Sequence, residues 1–114
     1  MSSAASPMPA VLLSQIPDGG LFEVEVPWRG ETESMVLHRQ GTQLRAWLNV
    51  CPHAGRRLDW APGQFLQTQE GHLVCAAHGA SFELEQGQCV GGPCRGQALL
   101  AVPVRLDGEQ VLIG

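Results

Sequence analysis

The sequence predicts an all-β fold of many short strands, a small sandwich or barrel. Three observations lead there. Stretches such as Leu21-Phe22-Glu23-Val24-Glu25-Val26 alternate apolar and polar residues with the period of a half-buried strand. Turn formers recur at close spacing, with 14 glycines and 8 prolines in 114 residues. No stretch carries a convincing helical period.

Residues 1–10 are Ser, Ala, Pro and Met without charge or pattern, and the expectation is a flexible tail over 1–17 followed by one domain over 18–114. The apolar run Ala10-Val11-Leu12-Leu13 is too short for a signal-peptide core and has no basic residue before it, so neither secretion nor a membrane span is expected and the reading is cytoplasmic. After Leu21–Val26, a looser alternation covers Met35–Arg39, and Leu44–Val50 runs straight into Cys51. Turns are expected at Asp18-Gly19-Gly20, Arg29-Gly30-Glu31 and Gln40-Gly41-Thr42. Further along, Pro62-Gly63, Glu70-Gly71 and Glu85-Gln86-Gly87 are turns, and His72–Val74 and Ala80–Leu84 are strands. Leu99–Leu106 and Gln110–Ile113 flank Asp107-Gly108 as a closing hairpin.

The formal net charge is −4, and all seven basic residues are Arg. That balance argues against nucleic acid and anionic membrane surfaces, both of which ask for basic patches. The acidic excess reads as a solvated surface, with steering toward a basic partner as its functional version.

The chemistry concentrates in Cys51-Pro52-His53 and Cys75-Ala76-Ala77-His78. Thiolate and neutral imidazole are the ligands iron and zinc take most readily. Each pair converges on one point only if the backbone between its members turns, and Pro52, Gly55 and Gly79 are turn formers. A two-Cys, two-His zinc finger keeps its cysteines in one pair and its histidines in the other. Here each pair holds one of each, the arrangement expected when one iron takes both cysteines and the other both histidines.

At these residues the chain resembles the Rieske [2Fe–2S] family. The resemblance runs from Cys51-Pro52-His53-Ala54-Gly55-Arg56-Arg57-Leu58 through Cys75-Ala76-Ala77-His78-Gly79-Ala80-Ser81-Phe82 to a third, proline-bearing loop at Gly92-Pro93. It implies a Rieske-like β-sandwich with a cluster-binding part over about 50–95, and a [2Fe–2S] cluster held by Cys51, His53, Cys75 and His78. Pro52, Leu58 and Pro93 would keep water from it. Two imidazoles in place of two thiolates put the family's potentials at roughly −150 to +300 mV, against about −400 mV for plant-type clusters. High-potential members carry a Ser after the His-Gly pair and a Tyr two residues on. Those positions are Ala80 and Phe82 here, so the low end of the range is expected. High-potential members also join the two ligand loops by a disulfide, whose positions are Arg56 and Ala77.

The resemblance implies a soluble ferredoxin, not a catalyst by itself, passing one electron from a flavin- or ferredoxin-type reductase to a terminal oxygenase. His53 and His78 would sit at the tip, with a potential that falls at alkaline pH. The alternatives are the small subunit of an assimilatory nitrite reductase-like complex and a redox-silent zinc module on the same four residues. A terminal oxygenase would need a further mononuclear iron site, for which 114 residues leave no room. Cys89 and Cys94 are free, locally disulfide-bonded or metal-bound. Free, buried thiols are favoured because four ligands are already accounted for. His38 and His72 are expected to be surface or satisfied histidines, and Trp28, Trp47 and Trp60 core or lid packing, with Trp60 the candidate for exposure.

Overall fold

The computed structural model describes residues 8–52, 55–76, 79–94 and 96–114. Eleven strands run in chain order: β1 (Met8–Leu12), β2 (Leu21–Trp28), β3 (Glu31–Gln40), β4 (Gln43–Leu48), β5 (Leu66–Gln67), β6 (Leu73–Val74), β7 (Ser81–Phe82), β8 (Cys89–Gly91), β9 (Ala101–Val102), β10 (Val104–Asp107) and β11 (Gln110–Ile113). A single 3₁₀ turn at Leu13–Gln15 is the one helical element among the described residues. The strands form three sheets, ordered β1-β11-β10, β2-β3-β4-β9 and β5-β6-β7-β8. The chain divides into two compact units, one comprising residues up to Ala46 with Val102–Gly114, the other Trp47–Ala101.

In the first unit, β2 and β3 pair from Leu21↔His38 to Trp28↔Glu31, leaving Arg29-Gly30 as a two-residue loop. Both loop residues have positive φ, +52° and +86°. That is the turn whose twist matches a right-handed hairpin, which is why the register stays unbroken over eight pairs. Met35, Val36, Leu37 and His38 are all buried, so this part of β3 is covered on both faces. Its loose alternation in the sequence follows from that burial.

The tail expected over 1–17 does not extend through residue 17. Met8–Leu12 pairs antiparallel with β11, and Leu13 and Ile16 are buried. Arg39 donates from its guanidinium to the carbonyls of Ile16 (2.9 Å) and Gly41 (2.7 Å), and the Gly41 N–H donates to the Asp18 carboxylate (2.8 Å). The partners of this segment lie far along the chain, where local pattern does not reach. The closing hairpin also differs from the expectation in one respect. Pro103, with no N–H to offer a ladder, separates β9 in one sheet from β10 in another.

His38 is neither at the surface nor satisfied. It is 6 % exposed, and among the described residues its Nδ1 has no hydrogen-bond partner. Burial first, then the nearby Arg45 charge, depresses its pKa. The folded chain therefore binds fewer protons than the unfolded one, in which the imidazole titrates near 6.5. The stability contributed by neutral His38 is complete above that value and is lost as pH falls through the depressed folded value. The thermal midpoint is expected to drop between about pH 7.5 and about pH 5.5, and the drop to shrink in His38→Leu. A drop of equal size in the variant would assign the pH dependence elsewhere.

Candidate metal centre

The second unit is built around two turns with the same hydrogen bonds. In the first, the Cys51 N–H donates to the Arg56 carbonyl (2.7 Å) and the Gly55 N–H to the Cys51 carbonyl (2.8 Å). In the second, the Cys75 N–H donates to the Ala80 carbonyl (2.7 Å) and the Gly79 N–H to the Cys75 carbonyl (2.9 Å). Each turn opens on a cysteine, closes five residues later and places glycine at the fourth position. Gly55 and Gly79 have φ of +68° and +76°, and a Cβ on either would meet nothing within 4 Å among the described residues. Glycine is favoured here by backbone conformation. The two sequence motifs are thus one turn frame, with histidine at the second position after Cys51 and at the third after Cys75.

Cys51 and Cys75 are fully buried and lie outside the disulfide. His53 and His78, with Ala54, Ala77 and Arg95, fall outside the described residues. The structure therefore places two of the four expected ligands.

A third loop touches both turns. The Gln97 side-chain amide donates to the Pro52 carbonyl (3.3 Å). On the other side, a Cβ on Gly92 would lie 2.8 Å from the Gly79 carbonyl oxygen and 2.9 Å from the Ala80 Cα, so this loop packs backbone to backbone on the second turn. Below it, Trp47 is 2 % exposed, and its Nε1 would stand 2.6 Å from a Cβ on Gly87.

The first turn has a polar brace that the sequence did not suggest. Asn49, buried, accepts the Leu58 N–H on its Oδ1 (2.9 Å) and also hydrogen-bonds Asp59. Arg57 pairs with the Asp59 carboxylate through Nε (3.0 Å) and Nη2 (2.8 Å), and the Gly63 N–H adds a third bond (3.1 Å). Burial alone would raise the Asp59 pKa. The Arg57 and Gly63 hydrogen bonds, the Arg57 charge and the Asn49 amide outweigh it and hold the carboxyl below its ordinary range. The spacing Arg57-x-Asp59 was the available signal, whereas Gln97 offered none.

The expectation of free thiols at Cys89 and Cys94 is overturned. They form a disulfide with Cα atoms 5.7 Å apart. Two cysteines five residues apart reach that separation because Gly91 and Gly92 let the chain turn back, Gly92 with φ of +80°. The pairing narrows the metal chemistry. Of four cysteines in the chain, only Cys51 and Cys75 remain as thiolate donors, so a four-cysteine site is excluded by count. Of four histidines, His38 lies in β3, and the backbone of His72 is tied to Thr68, accepting the Thr68 N–H on its carbonyl (2.9 Å) and donating its own N–H to Thr68 Oγ1 (3.1 Å). Two buried thiols on equivalent turns, with a histidine inside each turn, fit a mixed-ligand [2Fe–2S] cluster. Leu58, Ala80 and Phe82 are fully buried beside them, while Pro52 is half-buried and Pro93 exposed. Trp60 is 59 % exposed and so is not lid packing.

Comparison with known proteins agrees with this geometry. The family model of the Rieske [2Fe–2S] domain matches residues 6–106. The ferredoxin component of the alkene monooxygenase system of Xanthobacter autotrophicus is 33 % identical over 92 residues, 81 % of this chain and 70 % of the relative. Among solved structures, the ferredoxin of carbazole 1,9a-dioxygenase from Nocardioides aromaticivorans superposes with a TM-score of 0.74 at 23 % identity, covering 96 % of this chain and 98 % of its own. The terminal oxygenase of carbazole 1,9a-dioxygenase from Novosphingobium sp. KA1 gives 0.74 at 20 % identity over 97 % of this chain, which spans 31 % of that larger one. The chain belongs to the Rieske [2Fe–2S] domain family, and its cofactor is a [2Fe–2S] cluster.

Gly92→Ala is expected to cost about 2 kcal/mol or more in unfolding free energy, because the methyl meets the backbone of the second turn as well as an unfavourable φ. Gly96→Ala, at φ of +81° in open space, should cost only about 1 kcal/mol. Urea unfolding, with visible absorbance per chain as the record of retained cluster, separates the two. Equal costs would mean that the third loop does not bear on the second turn.

Proposed function

We propose that this chain is the ferredoxin component of an oxygenase system, carrying one electron from a reductase to a terminal oxygenase on a cluster ligated by Cys51, His53, Cys75 and His78. The observation that carries the ligand assignment is the pair of identical turns, each opening on a buried cysteine and containing one histidine. The 33 % identical relative is itself a monooxygenase ferredoxin component, which favours a carrier over a reductase subunit and over a zinc module. When bound, the cluster supplies one-electron chemistry. The residues of the chain bury the thiols and hold the turns with backbone hydrogen bonds. No described helix is long and apolar enough to cross a membrane, and we place the protein in the cytoplasm.

The buried residues after the second turn set the potential in this reading. Ala80 and Phe82 offer no hydroxyl to a sulfur, so the reduced, more negative state lacks those donors. Voltammetry of the purified protein should give a one-electron wave nearer −150 mV than +300 mV, roughly the family's limits. Ala80→Ser should raise it, and Cys51→Ser or Cys75→Ser should remove it. An unchanged wave in either cysteine variant would refute the ligand assignment.

Charge is distributed unevenly over the second unit. The connections β5–β6 and β7–β8, at one end of their sheet, carry Glu70, Glu83 and Glu85. The β6–β7 connection and the loop after β8 lie at the other end. The connection from β4 enters β5 at that end too, and among the described residues of these three loops Arg57 and Asp59 neutralise each other, while Arg56 is exposed with no ion-pair partner among the described residues. Exposed Arg56 and Trp60, both residue types that anchor interfaces, flank the first turn. Among its described residues the docking end thus carries one uncompensated positive charge, on Arg56, within a chain of net charge −4. Electron transfer to the oxygenase should slow as salt rises, and Arg56→Glu should slow it at low salt without shifting the visible spectrum. A faster reaction in Arg56→Glu would reverse the assigned sign.

A further inference from the structure

We propose that Cys89 and Cys94 form a second redox site, a thiol–disulfide couple that a dithiol opens, and that its state sets how firmly the third loop clamps the two ligand turns. The clamp's location rests on the proposed ligand assignment; the couple itself does not.

The loop from 89 to 97 is closed three times. The disulfide joins its two cysteines, the Cys89 N–H donates to the Gln97 carbonyl (2.9 Å), and the Gln97 N–H donates to the Cys94 carbonyl (3.0 Å). This ring carries both contacts to the ligand turns, through Gln97 to Pro52 and through Gly92 to Gly79 and Ala80. A cross-link between residues this close in sequence constrains the unfolded chain little, so its effect is local, on the ring itself. The high-potential relatives' disulfide positions are Arg56 and Ala77 here, and the covalent tie lies instead in the loop that touches both turns.

The surroundings of the sulfurs suit the reduced state as well as the oxidised one. Cys94 Sγ lies 3.4 Å from the Gly91 carbonyl oxygen and 3.9 Å from that of Ser81, and Cys89 Sγ lies 3.3 Å from the Gly91 oxygen. A disulfide has no proton to give these acceptors, whereas two thiols do. Cys89 is half-buried and Cys94 fully buried, so attack falls on Cys89 Sγ. One thiolate of the dithiol bonds to Cys89 Sγ as the S–S bond breaks and Cys94 leaves as thiolate. The second thiolate of the reductant then displaces Cys89, leaving the reductant as a cyclic disulfide. Two electrons and two protons end on Cys89 and Cys94.

The test uses the cluster-loaded protein under anaerobic conditions, with and without dithiothreitol, beside a Cys89→Ser/Cys94→Ser double variant. Three quantities are read: thiols open to alkylation at 89 and 94 by mass spectrometry, the rate of iron loss to a chelator, and amide exchange over 79–80 and 91–97. Without dithiol, neither cysteine should alkylate. With it, both should alkylate, exchange in both segments should quicken, and iron loss should accelerate about tenfold. The double variant should lose iron at the faster rate in either condition. Alkylation of both cysteines before any dithiol, or reduction with exchange and iron loss unchanged, would overturn the proposal. A preparation without iron and sulfide would count against the proposed function, while the exchange measurement would still decide this inference.

Discussion

The site depends on one backbone device, a turn in which the amide of a cysteine reaches the carbonyl five residues on. It closes only because the fourth residue takes positive φ at little cost, as Gly55 and Gly79 do. The turn fixes the cysteine in a fully buried position at its opening. A side chain at either glycine would meet an unfavourable positive φ, so the constraint is conformational.

Two turns alone do not make a rigid site. Each is held from outside by different means: the first by the buried Asn49 and the Arg57–Asp59 pair, the second by the strand pairing of Val74 with Ser81 and by the backbone of Gly92. The brace on the first turn is polar and partly buried, and Asp59 keeps its charge through three hydrogen-bonding groups, the Arg57 guanidinium, the Gly63 N–H and the Asn49 amide. The third loop touches both turns, which makes its internal closure relevant to the whole centre. Donor count completes the argument. With Cys89 and Cys94 joined, two thiolates remain, and the chain can complete a four-ligand site only with side chains of another kind.

How much of this was legible in the sequence depends on the range of the interactions. The Cys-x-His and Cys-x-x-His pairs, the glycines after them and the Arg29-Gly30 hairpin turn are local, and each was readable from a few adjacent residues. The all-β class followed from the same local signals. What escaped was long-range. The pairing of Met8–Leu12 with Gln110–Ile113 joins the two ends of the chain, so an unpatterned start read as tail. His38 read as satisfied because its surroundings come from other strands. The Cys89–Cys94 bond escaped for the opposite reason. It is local, but whether two nearby cysteines meet depends on the path through Gly91 and Gly92, which composition does not give.

The central claim is mixed ligation, with two cysteines on one iron and two histidines on the other. Electron paramagnetic resonance of the dithionite-reduced protein, together with iron and acid-labile sulfide analysis, tests it most directly. The account predicts iron and sulfide in equal amounts and a rhombic signal whose average g-value lies below that of an all-cysteine cluster, with nitrogen hyperfine coupling from the two imidazoles. A signal without nitrogen coupling, or a colourless and silent protein containing zinc, would contradict it.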